Sequence, residues 1–259
     1  MTSPGFAPEW LALREPADAA ARSVGLADLA RDRVLNRDPV VVRDLGCGTG
    51  SMGRWLSARL GGAQHWVLHD RDPRLLAVAG AAVTGPGVTT RTAEGDLSAL
   101  RAADLAGTSL VTASALLDVL TREQVNGLAA ACVGAGVPAL LTLSVAGRVE
   151  LDPADPLDAR FQDAFNDHQR RSGLLGPDAA RAAEEAFADL GAHVETRPSP
   201  WRLGPAHAAL TAEWLRGWVG AAVEQDPALA ADAPGYLRRR STGGLRVVVH
   251  HTDLLAFPS

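Results

Sequence analysis

An acidic residue followed at once by alternating glycines is the pattern in this sequence that most directly indicates chemistry. An apolar run over residues 39–45 contains Asp44 near its end and leads into Gly46, Gly48 and Gly50. A chain that turns sharply beneath a ligand needs residues without Cβ, because a side chain would occupy the ligand's place or forbid a positive φ. The pattern predicts a strand, a ligand-binding loop and a helix in that order.

Two further carboxylates follow the next two predicted strands, residues 65–69 and 88–92. Asp70 comes directly after the first of them, and Asp96 lies four residues beyond the second. Because the carboxyl ends of parallel strands meet at one edge of a sheet, Asp44, Asp70 and Asp96 are expected to surround one ligand. A carboxylate in the position of Asp70 can accept hydrogen bonds from the two hydroxyls of a ribose. These residues predict a nucleoside-binding site.

Two kinds of nucleoside remain open at this point. Gly48, Gly50 and Gly53 match the G-x-G-x-x-G pattern of dinucleotide-binding proteins, and Asp70 follows at about the distance of their ribose-binding carboxylate. A pyrophosphate would then lie at the positive end of the following helix, where Asp44 would repel it. A cationic nucleoside would be attracted by the same carboxylate. The sequence favours the cationic ligand, and an NAD(P)-dependent oxidoreductase is the alternative.

The glycine loop, the Asp-x-x-Pro that begins at Asp70, and the pair Asp96-Leu97 together resemble the motifs of class I S-adenosylmethionine (SAM)-dependent methyltransferases over about residues 38 to 145. The resemblance implies SAM as cofactor, S-adenosylhomocysteine (SAH) as product, and an enzyme of EC class 2.1.1. It implies that Asp96 binds the adenine amine, that the backbone of Leu97 meets the ring, and that Ser114 lies at the methionine end. The cofactor-binding residues implied are Asp44, Gly46, Cys47, Gly48, Thr49, Gly50, Asp70, Arg71, Asp96, Leu97 and Ser114.

The methyl acceptor is not identified by any motif. After the fourth predicted strand, the chain lacks the Asn/Asp-Pro-Pro-Tyr/Phe motif of methyltransferases that act on nucleobase amines. A small molecule methylated on oxygen or nitrogen, rather than carbon, is the prediction. Such an acceptor loses a proton, so a general base is expected, and the candidates are Asp118, just beyond the fourth strand, and His168.

Five residues are candidates for contact with the acceptor: Trp10, Arg14, Phe165, Trp201 and Arg202. The first two belong to a helical stretch in which Trp10, Arg14, Asp18 and Arg22 recur every four residues. We expect this stretch to cover the cofactor pocket; an ordinary helical cap with an Asp18–Arg22 surface pair is the alternative. Trp201 and Arg202 follow a proline-bounded turn, in a loop expected on the substrate side.

The elements that must position these residues alternate between short apolar strands and alanine-rich helices. This alternation predicts an α/β fold: a Rossmann-like, doubly wound, mainly parallel seven-stranded sheet with an antiparallel last strand and helices on both faces. Later strands are predicted at 109–113, 138–145, 193–196 and 245–250, and helices at 51–60, 73–83, 122–133, 178–190 and 205–225.

Two helical additions are predicted around this core. Residues 1–37 form an N-terminal cap or flap, which Pro16 is expected to divide, and residues 38–259 form the SAM-binding domain. Within that domain, residues 148–177 form a helical insertion after the fifth strand, a candidate substrate lid. Its helix is expected to begin with Asp155 as N-cap, so that Phe165 and His168 share one face.

Composition narrows the function class further. The chain has 259 residues, 47% of them apolar, and a net charge of -5, which argues against a broad nucleic-acid surface. Arg238, Arg239 and Arg240 are expected on a solvated face. We expect no metal, no disulfide, no membrane segment, a cytoplasmic location, and a monomer or homodimer. An RNA methyltransferase and a non-catalytic SAM-fold subunit remain as alternatives.

Overall fold

The computed structural model describes residues 7–97, 100–241 and 244–258. A single sheet forms its centre, with the strands in the order β3-β2-β1-β4-β5-β8-β6 and β7 joined to β8. The strands are β1 Val40–Leu45, β2 Gln64–Asp70, β3 Val88–Glu94, β4 Leu110–Ser114, β5 Ala139–Asp152, β6 His193–Pro198, β7 Trp201–Leu203 and β8 Arg246–Phe257. The first five strands pair in parallel, whereas β8 runs antiparallel to β5, β6 and β7.

Helices cover both faces of this sheet, as the alternation of elements predicts. They are α1 Pro8–Ala21, α2 Val24–Val34, α3 Ser51–Leu60, α4 Pro73–Ala82, α5 Arg122–Gly134, α6 Asp158–Gln169, α7 Ala179–Asp189, α8 Ala208–Gln225 and α9 Ala233–Arg240. One buried cluster joins α2, α3 and α4 to the sheet, and a second joins α5 and α7 to its other face. The doubly wound α/β architecture is confirmed.

The sheet has one strand more than predicted, because residues 201–203 form β7 rather than a loop. Trp201 and Leu203 are buried on one side of this short strand, and Arg202 is exposed on the other. The alternation of side chains along a strand explains why two adjacent residues face opposite ways. The prediction that Trp201 and Arg202 act together in a loop is therefore wrong.

The fifth strand also continues past the point where it was expected to stop. β5 extends to Asp152 and is interrupted by two β-bulges, and its extension pairs with the first residues of β8, Arg246 to Val249. The chain therefore leaves the sheet after residue 152 and not at 148. This extension lies beyond the carboxyl edge of the parallel strands and, with α1, α6, α8 and α9, encloses a third core around Phe161, Trp218 and Tyr236.

Three local predictions about helix ends are wrong. Pro16 lies inside a continuous α1, and the break comes after Arg22, where the Ser23 hydroxyl caps α2. Asp155 does not cap α6, which begins three residues later; its carboxylate accepts from the Leu157 amide in a turn. Arg240 is buried, because its guanidinium bonds the Pro153 carbonyl and Asp158 and so holds the entry to α6.

Candidate functional site

The glycine loop between β1 and α3 has the backbone conformation that glycine favours. Gly46, Gly48 and Gly50 have φ values of 60°, 55° and 87°. A Cβ on Gly50 would lie 2.7 Å from a methyl of Val83, and one on Gly46 would lie 2.8 Å from a methyl of Leu116. The need for glycine therefore arises from positive φ and from contact with neighbouring side chains.

Asp44 lies fully buried beneath this loop. The Thr112 hydroxyl donates to its Oδ1 at 2.7 Å, whereas its Oδ2 has no hydrogen-bond partner among the described residues. Burial, opposed by the Thr112 bond and by the charge of Arg22, raises the pKa of Asp44 to about 7. An unpaired buried carboxylate oxygen at this position fits a ligand that brings a positively charged donor.

Asp70 ends β2 with its carboxylate oriented by the backbone of the two neighbouring loops. The Gly48 amide donates to Oδ2 at 2.9 Å, and the Asp72 amide donates to Oδ1 at 3.0 Å. Asp70 is half-buried, and each oxygen retains accepting capacity for a ribose hydroxyl. Asp96, beyond the end of the neighbouring strand β3, is exposed, as is Arg71, and Leu97 is half-buried.

The N-terminal helix α1 lies over the glycine loop. A side-chain methyl of Leu11 lies 3.3 Å from the position that a Cβ on Gly48 would take. An ion pair fastens α1 to α3: Nε of Arg54 donates to Glu15 at 2.8 Å, and the same guanidinium donates to the Thr49 carbonyl. The loop therefore lies between the sheet and α1.

Arg22, which the motifs did not assign to the site, projects into it from the end of α1. Its Nη2 donates to Ser51 Oγ at 2.7 Å and to Ser114 Oγ at 3.0 Å. Ser51 is the first residue of α3 and Ser114 is the last of β4. The guanidinium thus joins the glycine loop to the fourth strand. The four-residue spacing along α1 was the signal that could have identified it.

A second group of residues gathers around Arg14, which lies in α1 one turn after Trp10. Its guanidinium bonds both oxygens of Asp18, at 3.0 and 3.2 Å, and its Cζ lies 4.9 Å from the ring centre of Trp201 and 5.9 Å from that of Trp10. Trp201 Nε1 also donates to Asp18 at 2.9 Å. Asp18 is buried and pairs with Arg14, so the surface pair Asp18–Arg22 does not exist.

Two titratable side chains lie within electrostatic range of Arg14. Burial raises the pKa of Asp118, whose Oδ1 is buried without a partner in the described parts of the chain. His251, on β8, has its ring 5.4 Å from that of Trp201, and its Nδ1 is likewise unpartnered there. Burial, reinforced by Arg14, lowers the pKa of His251 to about 3, so it is neutral. The Arg14 cluster, as we call it, comprises Trp10, Arg14, Asp18, Asp118, Trp201 and His251.

Three predicted residues are not brought to this cluster by any contact that the structure describes. His168 Nε2 lies 3.1 Å from Glu224 at the end of α8, on the outside of the third core. Phe165 packs on Trp218, with ring centres 6.3 Å apart. Arg202 is exposed on the opposite side of β7 from Trp201. The helical face that was expected to serve the site serves the packing of α6 on α8 instead.

Neither a metal-binding cluster nor a membrane-spanning helix is present in the described residues. Within the ranges 7–97, 100–241 and 244–258, no group of three His, Cys, Asp or Glu side chains could hold a metal ion. No helix in those ranges combines the length and the apolar character needed to cross a bilayer. Cys47 and Cys132 are buried free thiols.

Comparison with known proteins agrees with this architecture. Residues 42–135 match the family model described as "Methyltransferase domain". A SAM-dependent methyltransferase from Geobacter sulfurreducens, solved with SAH, is 15% identical, with 98% of this chain and 99% of that chain covered and a TM-score of 0.51. The YcgJ protein of Bacillus subtilis is 12% identical, with 91% and 99% covered and a TM-score of 0.52. No curated protein sequence matches.

At these identities the solved structures establish the fold, and the family model establishes the domain. An antiparallel strand between β5 and β6 separates this sheet from the dinucleotide-binding Rossmann order 3-2-1-4-5-6, which disfavours the oxidoreductase alternative. Residues 42–135 therefore match a methyltransferase domain, within a fold that this chain shares with solved SAM-dependent methyltransferases.

Proposed function

We propose that this enzyme methylates an oxygen or nitrogen of a small molecule that binds against the Arg14 cluster. The observation that carries the proposal is the cover formed by α1: Leu11 lies over the glycine loop, while the Arg14 guanidinium lies against the rings of Trp10 and Trp201. A polymer would need an open surface at this edge of the sheet. A covered site lined by tryptophans suits a compact and partly apolar acceptor.

The residues at the carboxyl edge fit SAM group by group. In this proposal, unpaired Oδ2 of Asp44 accepts from the ammonium, Asp70 from the ribose hydroxyls, and Asp96 from the adenine amine, with Leu97 backbone at the ring. The loop from Gly46 to Gly50 lies against the cofactor, including Cys47 and Thr49, and Arg71 and Ser114 complete the set. The fit to Asp44 is the most specific, because a buried carboxylate favours a cationic partner.

SAM, when bound, supplies an electrophilic methyl on a sulfonium whose departure needs no acid. The chain's contribution is to hold the acceptor atom in line and to exclude water. The partly exposed ring of Trp10 offers a flat wall for a planar acceptor, and Arg14, held between Asp18 and the buried Trp201, remains a donor for an anionic substituent. The segment 148–177 would act as a lid through α6, which packs in the same third core as Trp201.

Asp118 is our candidate for the proton acceptor. Its buried Oδ1 is free of hydrogen bonds within the described residues, and its raised pKa makes it a stronger base than an ordinary carboxylate once ionised. The acceptor's oxygen or nitrogen would lose its proton to this oxygen as it gains the methyl. Neutral His251 lies near the same guanidinium and could orient the acceptor by a hydrogen bond.

Titration calorimetry followed by a labelling screen tests the proposal. We expect the full chain to bind SAM and SAH, and Asp70→Ala to weaken both at least about tenfold, because two charge-assisted bonds are lost. Asp32→Ala, which removes an exposed carboxylate paired with Arg31 on α2, should bind normally. Unchanged affinity in Asp70→Ala would remove the ribose assignment.

The screen uses SAM with a radiolabelled methyl group and pools of small hydroxyl- and amine-bearing compounds, with RNA and protein as parallel pools. Label should appear in a small compound. Label confined to RNA or protein would refute the small-molecule proposal. With the acceptor found, Asp118→Asn should lower kcat by about 10²- to 10⁴-fold, whereas His168→Ala should leave it unchanged. Full activity in Asp118→Asn would end its candidacy as the base.

A further inference from the structure

Arg22 is a buried cation that the chain itself leaves incompletely paired. Its side chain is 3% exposed, and its Nε and Nη1 have no hydrogen-bond partner among the described residues. The only acceptors that the structure gives it there are two neutral hydroxyls, both bonded by Nη2. The ring of Trp55 lies 5.6 Å below its Cζ and offers a further, weaker interaction.

The carboxylates nearby do not complete this pairing. Asp18, Asp44 and Asp253 are near enough to raise the pKa of Arg22, yet none forms an ion pair with it in the described parts of the chain. The oxygens of Asp18 and Asp253 already accept bonds from other donors. Only Asp44 retains an unpaired oxygen.

Such an arrangement is unfavourable unless a further acceptor arrives. Burial lowers the pKa of Arg22, but a guanidinium stays charged in proteins, and an unsatisfied buried charge is destabilising. Its nitrogens form a planar fork that matches the two oxygens of a carboxylate. The missing partner is therefore expected to be a planar anion.

The position of the guanidinium limits what that anion can be. Ser51 opens α3 directly after the glycine loop, and Ser114 closes β4, so the fork lies where the loop and the fourth strand meet. The unpaired oxygen of Asp44 lies under the same loop. One buried negative group and one buried positive group, both unsatisfied, are complementary to the ammonium and the carboxylate of an α-amino acid.

We infer that Arg22 binds the α-carboxylate of the cofactor's methionine moiety through Nε and Nη1, and that this contact, rather than the glycine loop, selects ligands that carry an intact amino acid. The inference rests on the proposed mode of SAM binding. It also makes α1 part of the cofactor site, because Arg22 ends α1. The ion pair of Asp18 with Arg14, earlier in the same helix, extends from there toward the proposed acceptor site.

A ligand series separates the two ends of the amino acid. The full chain is titrated by calorimetry with SAM, with decarboxylated SAM, which keeps the sulfonium and the ammonium, and with 5′-methylthioadenosine, which keeps only the nucleoside. We expect the unmodified chain to prefer SAM over decarboxylated SAM by about 30-fold, the size of a charge-assisted bidentate bond. Arg22→Gln should abolish that preference and bind the other two ligands within about threefold of the unmodified chain.

Arg59→Gln is the matched control, since Arg59 also stacks on Trp55, with its Cζ 4.3 Å from the ring centre, but lies away from Ser51 and Ser114. It should retain the full preference for SAM. A preference that survives Arg22→Gln, or equal weakening of all three ligands, would overturn the inference. If no ligand binds the unmodified chain, the proposed function itself fails, which is a distinct result.

A second variant covers the case in which Arg22→Gln does not fold. Ser114→Ala removes one hydroxyl that positions the guanidinium and leaves the charge in place. It should reduce the preference for SAM over decarboxylated SAM several-fold while 5′-methylthioadenosine binds as before. An unchanged preference in this folded variant would count against Arg22 as the carboxylate site.

Discussion

At the scale of single residues, the candidate site is marked by buried polar atoms that have no hydrogen-bond partner among the described residues. Asp44 and Arg22 are both buried beside the glycine loop, and each retains at least one unpaired atom within the described chain. Buried polar groups in folded proteins are usually hydrogen-bonded, so exceptions that cluster at a binding loop indicate a ligand. Asp118 and His251 repeat the pattern in the Arg14 cluster.

Asp44 should couple cofactor binding to a proton. Its pKa of about 7 is raised by burial above the unfolded value, so the contribution of this group to the stability of the free protein is fully present below about pH 4 and is lost as the pH rises through about 7. An ammonium ligand favours the ionised form, so SAH binding should release a proton near pH 6.5 and tighten as the pH rises toward 7.5. Calorimetry in two buffers of different ionisation enthalpy measures this release.

Two comparisons make the Asp44 prediction specific. Asp44→Asn should eliminate the proton release, and 5′-methylthioadenosine, which lacks the ammonium, should show none with the unmodified chain. Proton release that persists in Asp44→Asn would assign the linkage to another group.

Gly50 should tolerate alanine far less well than a glycine of similar φ elsewhere. Gly50→Ala combines a φ of 87° with a methyl 2.7 Å from Val83, so we expect a loss of about 2–5 kcal/mol in the free energy of unfolding. Gly136→Ala, in the left-handed turn that ends α5, has a φ of 66° and nothing within 4 Å, so only the backbone term of about 1–2 kcal/mol applies. Urea unfolding of both variants measures the difference; equal losses would show that contact with α4 is unimportant.

At the scale of elements, the site depends on how the N-terminal segment is attached to the sheet. Asp253 on β8 is fully buried and accepts three hydrogen bonds: from the Ser23 amide at 2.7 Å, the Leu143 amide at 2.8 Å and the Ser199 hydroxyl at 2.5 Å. Leu143 has a φ of 59° in the β5 bulge, an unfavourable conformation for leucine. One carboxylate thus holds the start of α2, the bulge and the turn before β7 together.

Asp253→Asn should destabilise the protein by about 2–4 kcal/mol, because its amide nitrogen would face the Ser23 amide, donor against donor, when its oxygen keeps the bonds from Leu143 and Ser199. Burial raises the pKa of Asp253, so the contribution of this group to stability falls as pH rises from its unfolded value, and the loss in the variant is best compared at one fixed pH. Asp152→Asn, at an exposed position 4.0 Å from Arg246, is the control for thermal unfolding. Equal unfolding temperatures in the two variants would contradict the role assigned to Asp253.

At the scale of the whole molecule, the N-terminal helices and the sheet share one core. Leu26, Ala27, Ala30 and Val34 of α2 are buried in the same cluster as β1 and α3. The segment 1–37 was proposed as a cap on a domain that begins at residue 38, yet its described part contributes to the main core as well as to the site. Removing a side chain from α2 should therefore affect the entire protein.

Leu26→Ala tests this. The residue is 1% exposed, and truncation should lower the free energy of unfolding by about 2–5 kcal/mol. Because the core is shared, tryptophan fluorescence and far-ultraviolet circular dichroism should follow one coincident urea transition, shifted as a unit. Leu35→Ala, at a position 59% exposed just after α2, should leave the transition unchanged. A separate early transition in Leu26→Ala would mean that the cap unfolds independently.

Local pattern alone determined the strands and helices of the core, the glycine loop, and the carboxylates near the ends of β1 and β2. These features depend on residues adjacent in the chain, through side-chain periodicity and the backbone freedom of glycine. The tertiary structure alone decided that Arg22 joins Ser51 to Ser114, that Trp201 meets Arg14 while Arg202 turns away, and that His168 pairs with Glu224. Such contacts link residues far apart in sequence. They depend on the short strand β7, the two bulges of β5 and the unbroken α1, and none of these features has a strong signature in the local sequence.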